Sequence, residues 1–128
     1  MSSELVCLTW VAALTTVLWI PYTLNMIIVR GISDAVGYPE NPKPLAPWAA
    51  RMKAAHYNAV ENLVVFAALV LTLNAAGISN SVTVMACSVY FWARLVHFLV
   101  YGFAIPWLRT IAYVVAWACI VALLLQLL

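Results

Sequence analysis

Four long apolar stretches, separated by short polar ones, make up this chain. They cover approximately residues 4–30, 48–75, 81–103 and 106–128, and each reaches the roughly 20 apolar residues that an α-helix needs to cross a bilayer. Backbone polar groups in lipid must be satisfied within the segment, which at these lengths favours helices over the short alternating strands of a barrel. The pattern predicts a single domain, residues 1–128, with a polar loop at 31–47.

The first stretch could be mistaken for a signal peptide. It has no basic residues at its start and no small-residue cleavage site, so we predict that it is retained as a spanning helix. Pro21 lies in its second half, where a kink in a membrane helix is tolerated if a neighbour satisfies the freed carbonyl. The prediction is therefore a bundle of four transmembrane helices with a kink in the first.

Composition supports the same fold class. The 128 residues are 67% hydrophobic and 8% charged, whereas a soluble domain has about 25% charged residues. Too few charged side chains are present to form a water-facing surface, and no basic patch for nucleic acid is present. The sequence predicts an all-α integral membrane protein.

The basic residues predict an orientation. With four spans, the 31–47 loop and the turn near residue 104 lie on the same side of the membrane, and the termini lie on the other. The loop side has Arg30, Lys43, Arg51, Lys53 and Arg109. The positive-inside rule places this side in the cytoplasm and both termini on the non-cytoplasmic side; in a bacterial cell the membrane would be the inner one.

Glu61 is the most unusual residue of the second helix. It lies ten residues beyond Arg51, which is ~15 Å at 1.5 Å per residue and close to the middle of the hydrocarbon core. An ionisable residue at that depth is costly unless it has a partner, and it marks a functional site by default. Arg94 of the third helix reaches nearly the same depth from the same side. We expect Glu61 to pair with Arg94, directly or through Asn58.

Four arginines gather in the cytoplasmic half, with tyrosine, histidine and asparagine side chains on the same helix faces. One carboxylate cannot neutralise four guanidinium groups, and guanidinium groups grip carboxylates bidentately. We therefore predict a small anionic ligand with one or two carboxylates, entering from the cytoplasm. The alternative is that each arginine only snorkels to the interface or pairs with Glu61. The arginines are Arg30, Arg51, Arg94 and Arg109.

The three cysteines indicate no further chemistry. Cys7, Cys87 and Cys119 lie in three different apolar stretches without metal-ligand spacing. Small hydrophobic packing residues are the simpler interpretation. We predict no disulfide and no metal site.

Three segments resemble one known family. The HYNAVEN segment, residues 56–62, is similar to the AHxNxxEN signature of the MAPEG family, the membrane-associated proteins of eicosanoid and glutathione metabolism. The RLVHFLVY segment, residues 94–101, and the IPWLRTIAY segment, residues 105–113, resemble the family's third and fourth helices. The resemblance covers essentially the whole chain.

This resemblance implies a function. Family members form homotrimers of four-helix subunits, and the enzymes bind glutathione between helices of adjacent subunits. It implies Arg109 and Thr110 as the residues that stabilise the glutathione thiolate. Family positions and the shared helix faces give the expected glutathione-binding set: Arg30, Arg51, Asn58, Glu61, Arg94, His97, Tyr101 and Tyr113.

Two departures from the family pattern affect the prediction. Catalytic members usually have an arginine where this chain has Ala54, and often a proline soon after the glutamate, where it has Val64 and Val65.

Our first hypothesis is a membrane glutathione transferase or peroxidase that acts on lipid-soluble electrophiles. The alternatives are a non-catalytic membrane scaffold or accessory subunit, and a binder of another small anion. A transporter or channel is disfavoured because the polar residues stop near mid-depth.

Overall fold

The computed structural model describes residues 1–128 as an all-helical bundle. Four stretches are long and apolar enough to cross a membrane: Ser3–Val36, Pro47–Ala75, Ser81–Gly102 and Pro106–Leu125. The predicted fold, an all-α membrane protein with four spanning helices, is confirmed. The individual helices are α1 (Ser3–Val17), α2 (Ile20–Val36), α3 (Pro47–Ala75), α4 (Ser81–Gly102) and α5 (Pro106–Leu125).

The first span consists of two helices instead of the single helix expected at residues 4–30. Regular helix stops at Val17 and resumes at Ile20, with Pro21 in the first turn of α2. Proline has no N–H to donate and its ring clashes with the preceding turn, so the break lies where the sequence predicts a kink. A second break follows Arg30, because Gly31 has a φ of 77°, and one more short helical stretch extends to Val36.

Four antiparallel spans give the bundle two ends. The "termini end" contains both chain termini and the turn at residues 76–80, and the "loop end" contains the loop at 37–46 and the turn at 103–105. Helix α4 is central and packs against α1, α3 and α5, while α2 packs against α3. The main core lies between the termini end and mid-depth, where the rings of Phe66 and Tyr90 stack at 3.9 Å between centroids.

Much of the outer surface is apolar. Large hydrophobic side chains project outward, including Ile28 at 81% exposed and Trp107 at 80%. Water would penalise such a surface, whereas lipid tails would not. The exterior therefore matches the membrane environment predicted from composition.

Close packing at the loop end brings α3 against the end of α4. A Cβ added at Gly102 would lie 2.6 Å from Cε and 2.9 Å from Cγ of Met52, so only glycine fits there without a shift. The chain then turns sharply through Ala104, whose φ is 60°, and α5 begins with Pro106 in its first turn. These contacts fix the ends of three helices around the site described next.

Candidate functional site

A buried polar contact joins α3 to α4. Arg94 is 3% exposed, and its Nη2 donates to Oδ1 of Asn58 at 2.7 Å and lies 3.4 Å from Nδ1 of His97. Its Nε and Nη1 atoms are buried without a hydrogen-bond partner. A buried guanidinium with a single neutral amide as its close partner retains most of its charge uncompensated.

The direct Glu61–Arg94 pair expected from sequence is absent. The Glu61 side chain is exposed on the outside of the bundle, while Asn58 is the residue of α3 that reaches Arg94. Three residues along a helix rotate the side chain by about 60° from the starting direction, which is enough to turn Glu61 away from α4. Of the two adjacent alanines Ala54 and Ala55, Ala55 is buried and Ala54 is exposed.

A pocket of about 190 Å³ opens at the loop end, and two arginines line it. Arg51 donates from Nε and Nη2 to the carbonyl oxygen of Gly102, at 3.2 and 2.9 Å, and so caps the last turn of α4. The guanidinium of Arg109 lies 4.8 Å from the centre of the Tyr101 ring, within cation–π range. The full lining is Arg51, Val100, Tyr101, Ala104, Ile105, Pro106 and Arg109.

Aromatic rings connect this pocket to Arg94. The buried ring of His97 lies 5.5 Å from that of Tyr101, in an edge-on arrangement, and 6.3 Å from that of Tyr113. The polar and aromatic side chains therefore form one series from mid-depth to the loop end. Its order is Arg94, His97, Tyr101, Arg109.

Other predicted site residues lie apart from the pocket. Thr110 is exposed, and its hydroxyl donates weakly to the Pro106 carbonyl within its own helix at 3.4 Å. Arg30 donates from Nε to the carbonyl oxygen of Lys43 at 2.7 Å, which fastens α2 to the loop. Tyr113 is 39% exposed. Within one subunit the predicted set thus divides into two groups. The inward group lies at or behind the pocket and consists of Arg51, Asn58, Arg94, His97, Tyr101 and Arg109. The outward group lies away from it and consists of Arg30, Glu61, Thr110 and Tyr113.

Two further contacts at this end were missed by the sequence analysis. The Tyr22 hydroxyl lies 2.7 Å from Nδ1 of His56, and Oδ1 of Asn25 accepts from the Ala46 N–H at 3.0 Å. Tyr22 and Asn25 are one turn apart on a largely apolar helix, a spacing that places both on one face. That spacing was the signal available in the sequence.

Comparison with known proteins gives one match. A family model described as the MAPEG family matches residues 8–128. No curated protein matches the chain, and no solved structure does. The matched range includes all five helices apart from the first turn of α1.

Proposed function

This chain belongs to the MAPEG family, and on that premise we propose that it is a membrane glutathione transferase or peroxidase. Its substrates would be a small anionic thiol, glutathione, and a lipid-soluble electrophile or hydroperoxide. The main support is the pocket at the loop end, where Arg51 and Arg109 meet and no carboxylate lines the wall. Such a donor set fits a ligand with carboxylates.

The charge balance behind the pocket supports an anion as well. Arg94 has two nitrogens without partners, and His97 and Tyr101 connect it to the pocket. An anion bound near this series would compensate charge that the subunit itself leaves uncompensated. We propose that Arg51, Tyr101 and Arg109 contact glutathione within one subunit. Arg94 and His97, which are buried behind the pocket, would act on it through their charge and through the Tyr101 ring.

The outward group supports a site completed by a neighbouring subunit. Glu61 is exposed at a depth where lipid would surround it, and a lipid-exposed carboxylate costs several kcal/mol. A second copy of the chain covering this face would remove that cost. We propose a homotrimer in which Arg30, Glu61 and Tyr113 complete the glutathione site between adjacent subunits, while Asn58 holds Arg94 from inside the bundle.

The chemistry needs a thiolate. A thiol has a pKa of about 8.5 and is mostly protonated at neutral pH, whereas an adjacent cation lowers that pKa and increases the thiolate fraction. Arg109 is the exposed cation at the pocket edge. The Thr110 hydroxyl beside it forms only a 3.4 Å hydrogen bond to the Pro106 carbonyl and could donate to a thiolate instead. Both residues belong to the first turn of α5, where a bilayer-dissolved electrophile and a cytoplasm-supplied thiol would meet. No metal takes part in this mechanism.

Sidedness follows from the charges. Five of the six basic side chains lie at the loop end, so we propose that this end faces the cytoplasm, with both termini on the opposite side. Glutathione would then reach the pocket from the compartment that contains it. In a bacterium the membrane would be the inner one.

One observation favours a second candidate. Ala54 replaces a family arginine and is exposed, so one guanidinium is missing from the surface that the neighbouring subunit would cover. A non-catalytic scaffold or accessory subunit, or a binder of a different anion, would tolerate this loss. The experiment below separates these functions.

The test is glutathione binding to the detergent-purified protein, by calorimetry, together with the ultraviolet absorbance of the bound thiolate. We expect saturable binding and a thiolate signal at neutral pH. Arg109→Ala should remove the signal and lower turnover at least tenfold, with little change in melting temperature because Arg109 is exposed. Lys53→Ala is the matched control, since Lys53 lies over Tyr57 and not in the pocket. Absence of binding at millimolar glutathione would refute the proposal.

A further inference from the structure

The termini end of the bundle contains a second polar cluster, built around Glu4. Glu4 is 2% exposed and lies in the first turn of α1. Its Oε1 atom accepts from the Thr83 hydroxyl and, at 2.9 Å, from the Ser79 hydroxyl. Its Oε2 atom is buried without any hydrogen-bond partner. One half of this carboxylate is therefore satisfied and the other half is not.

Glu4 is placed to be ionised. It lies in the first turn of α1, and Thr83 lies in the first turn of α4. The N-terminal ends of both helices have partial positive charge, which stabilises a carboxylate. Two hydroxyl donors on one oxygen add to this effect.

No cationic side chain compensates that charge. The six lysines and arginines of the chain lie at the loop end or, for Arg94, near mid-depth. Met1 is 89% exposed and forms no hydrogen bond with the cluster. Burying a carboxylate oxygen with neither a donor nor a counter-charge costs free energy of folding. A bound cation would therefore stabilise the folded protein at this site.

A small pocket lies at this carboxylate. It measures about 140 Å³, and Ile78 is its single hydrophobic wall. Glu4 lines this pocket, and Oε2 is its carboxylate oxygen without a protein partner. The other lining residues offer hydroxyl, amide and backbone oxygens, and hard cations prefer such ligands. The lining residues are Ser2, Glu4, Asn74, Gly77, Ile78 and Ser79.

The helix ends also indicate the charge of the ligand. Asn74 belongs to the last turn of α3, where the carbonyl groups have partial negative charge. One full negative charge among neutral oxygens matches one positive charge better than two. Cysteine and histidine, the ligands of softer metals, are absent from the lining.

We propose that this pocket binds a small monovalent cation, of which Na⁺ is the representative, through Oε2 of Glu4. The ion would link the start of α1 to the end of α3 and to the turn before α4. Its role is to hold three helices together at the termini end. The site is independent of the glutathione pocket, which lies at the opposite end of the bundle.

The test is thermal unfolding of the purified full chain in detergent, without glutathione and at neutral pH. Sodium chloride is compared with N-methyl-D-glucamine chloride at constant ionic strength. We expect the melting temperature to rise with Na⁺ and to saturate. Glu4→Gln should abolish the dependence, and Asn74→Ala should raise the half-saturating Na⁺ concentration severalfold. Glu40→Gln, an exposed acid at the loop end, should leave the dependence unchanged.

Equal melting temperatures in both salts would overturn the proposal and leave water as the partner of Oε2. If the melting temperature of Glu4→Gln still depends on Na⁺, the ion binds elsewhere and the proposed site is wrong. A melting temperature that responds to Ca²⁺ but not to Na⁺ would overturn the monovalent assignment. If Glu4→Gln does not fold, the Asn74→Ala titration and the linewidth of the ²³Na resonance with native protein decide the question. Glutathione binding should be the same with and without Na⁺, so failure of one proposal leaves the other standing.

Discussion

The bond between Asn58 and Arg94 should be worth more than an ordinary hydrogen bond in a membrane protein. Neutral hydrogen bonds between membrane helices average about 0.6 kcal/mol in double-mutant cycles, whereas bonds to charged groups contribute about 1.5–3 kcal/mol. The 2.7 Å bond joins the amide of Asn58 to a guanidinium that is 3% exposed and has two nitrogens without partners. We therefore expect a coupling energy in the upper range, about 1.5–3 kcal/mol.

The assay is a double-mutant cycle with Asn58→Ala, Arg94→Met and the double variant. The free energy of unfolding is measured by reversible denaturation in mixed detergent micelles, without glutathione. Asn58→Ala leaves a buried charge with no close partner, while Arg94→Met removes the charge and keeps a side chain of similar length. The double variant should therefore be more stable than Asn58→Ala alone.

Thr72→Ala serves as the control, because Thr72 of the same helix donates to the backbone carbonyl of Ala68 at 2.7 Å and has no contact with Asn58 or Arg94. Its cycle with Arg94→Met should give a coupling energy near zero. A coupling energy of about 0.6 kcal/mol or less between Asn58 and Arg94 would match a neutral bond. That result, or a double variant less stable than Asn58→Ala, would refute the reasoning that Asn58 compensates the guanidinium charge.

Three further predictions test the loop end. Gly102→Ala should destabilise the protein by about 1–3 kcal/mol because its Cβ meets Met52. Adding Met52→Ala to this variant should recover part of the loss in melting temperature, and no recovery would exclude the contact as the cause. Asn25→Ala should cost about 0.5–1.5 kcal/mol and accelerate hydrogen exchange at the Ala46 N–H; unchanged exchange would contradict this. Ala54→Arg should tighten glutathione binding about tenfold or more in calorimetry, since it adds one charge-assisted contact; no gain would indicate a pocket built for another ligand.

Position along the helix axes could be predicted from the sequence. The length of each apolar stretch fixes how far a residue lies from the helix end, and antiparallel spans bring equal depths together. The meeting of Arg51 and Arg109 in one pocket follows from this, because both begin helices at the loop end. The break at Pro21 follows from the missing N–H of proline.

Rotation about the helix axis could not be predicted in the same way. Glu61 and Asn58 lie within one helical turn of each other, ~4.5 Å apart along the axis, but only Asn58 reaches Arg94. This choice depends on how α3 packs against all its neighbours at once. Polar contacts between distant parts of the chain could not be predicted from the sequence for a related reason. Glu4 and Thr83 are 79 positions apart, and Glu4 alone resembles an ordinary acidic residue in a first helical turn.

The break between α1 and α2 has a consequence for bilayer thickness. At 1.5 Å per residue the 15 residues of α1 extend about 22 Å, which is less than the roughly 30 Å of a hydrocarbon core. The break therefore lies inside the membrane, and α2 completes the crossing while its contacts with α3 hold it at the loop end. A thinner or thicker bilayer would change the angle at this break before it tilted the whole span. We therefore expect the first span to adapt to different membranes by this change of angle, while the bond from Arg30 to the Lys43 carbonyl stays in place.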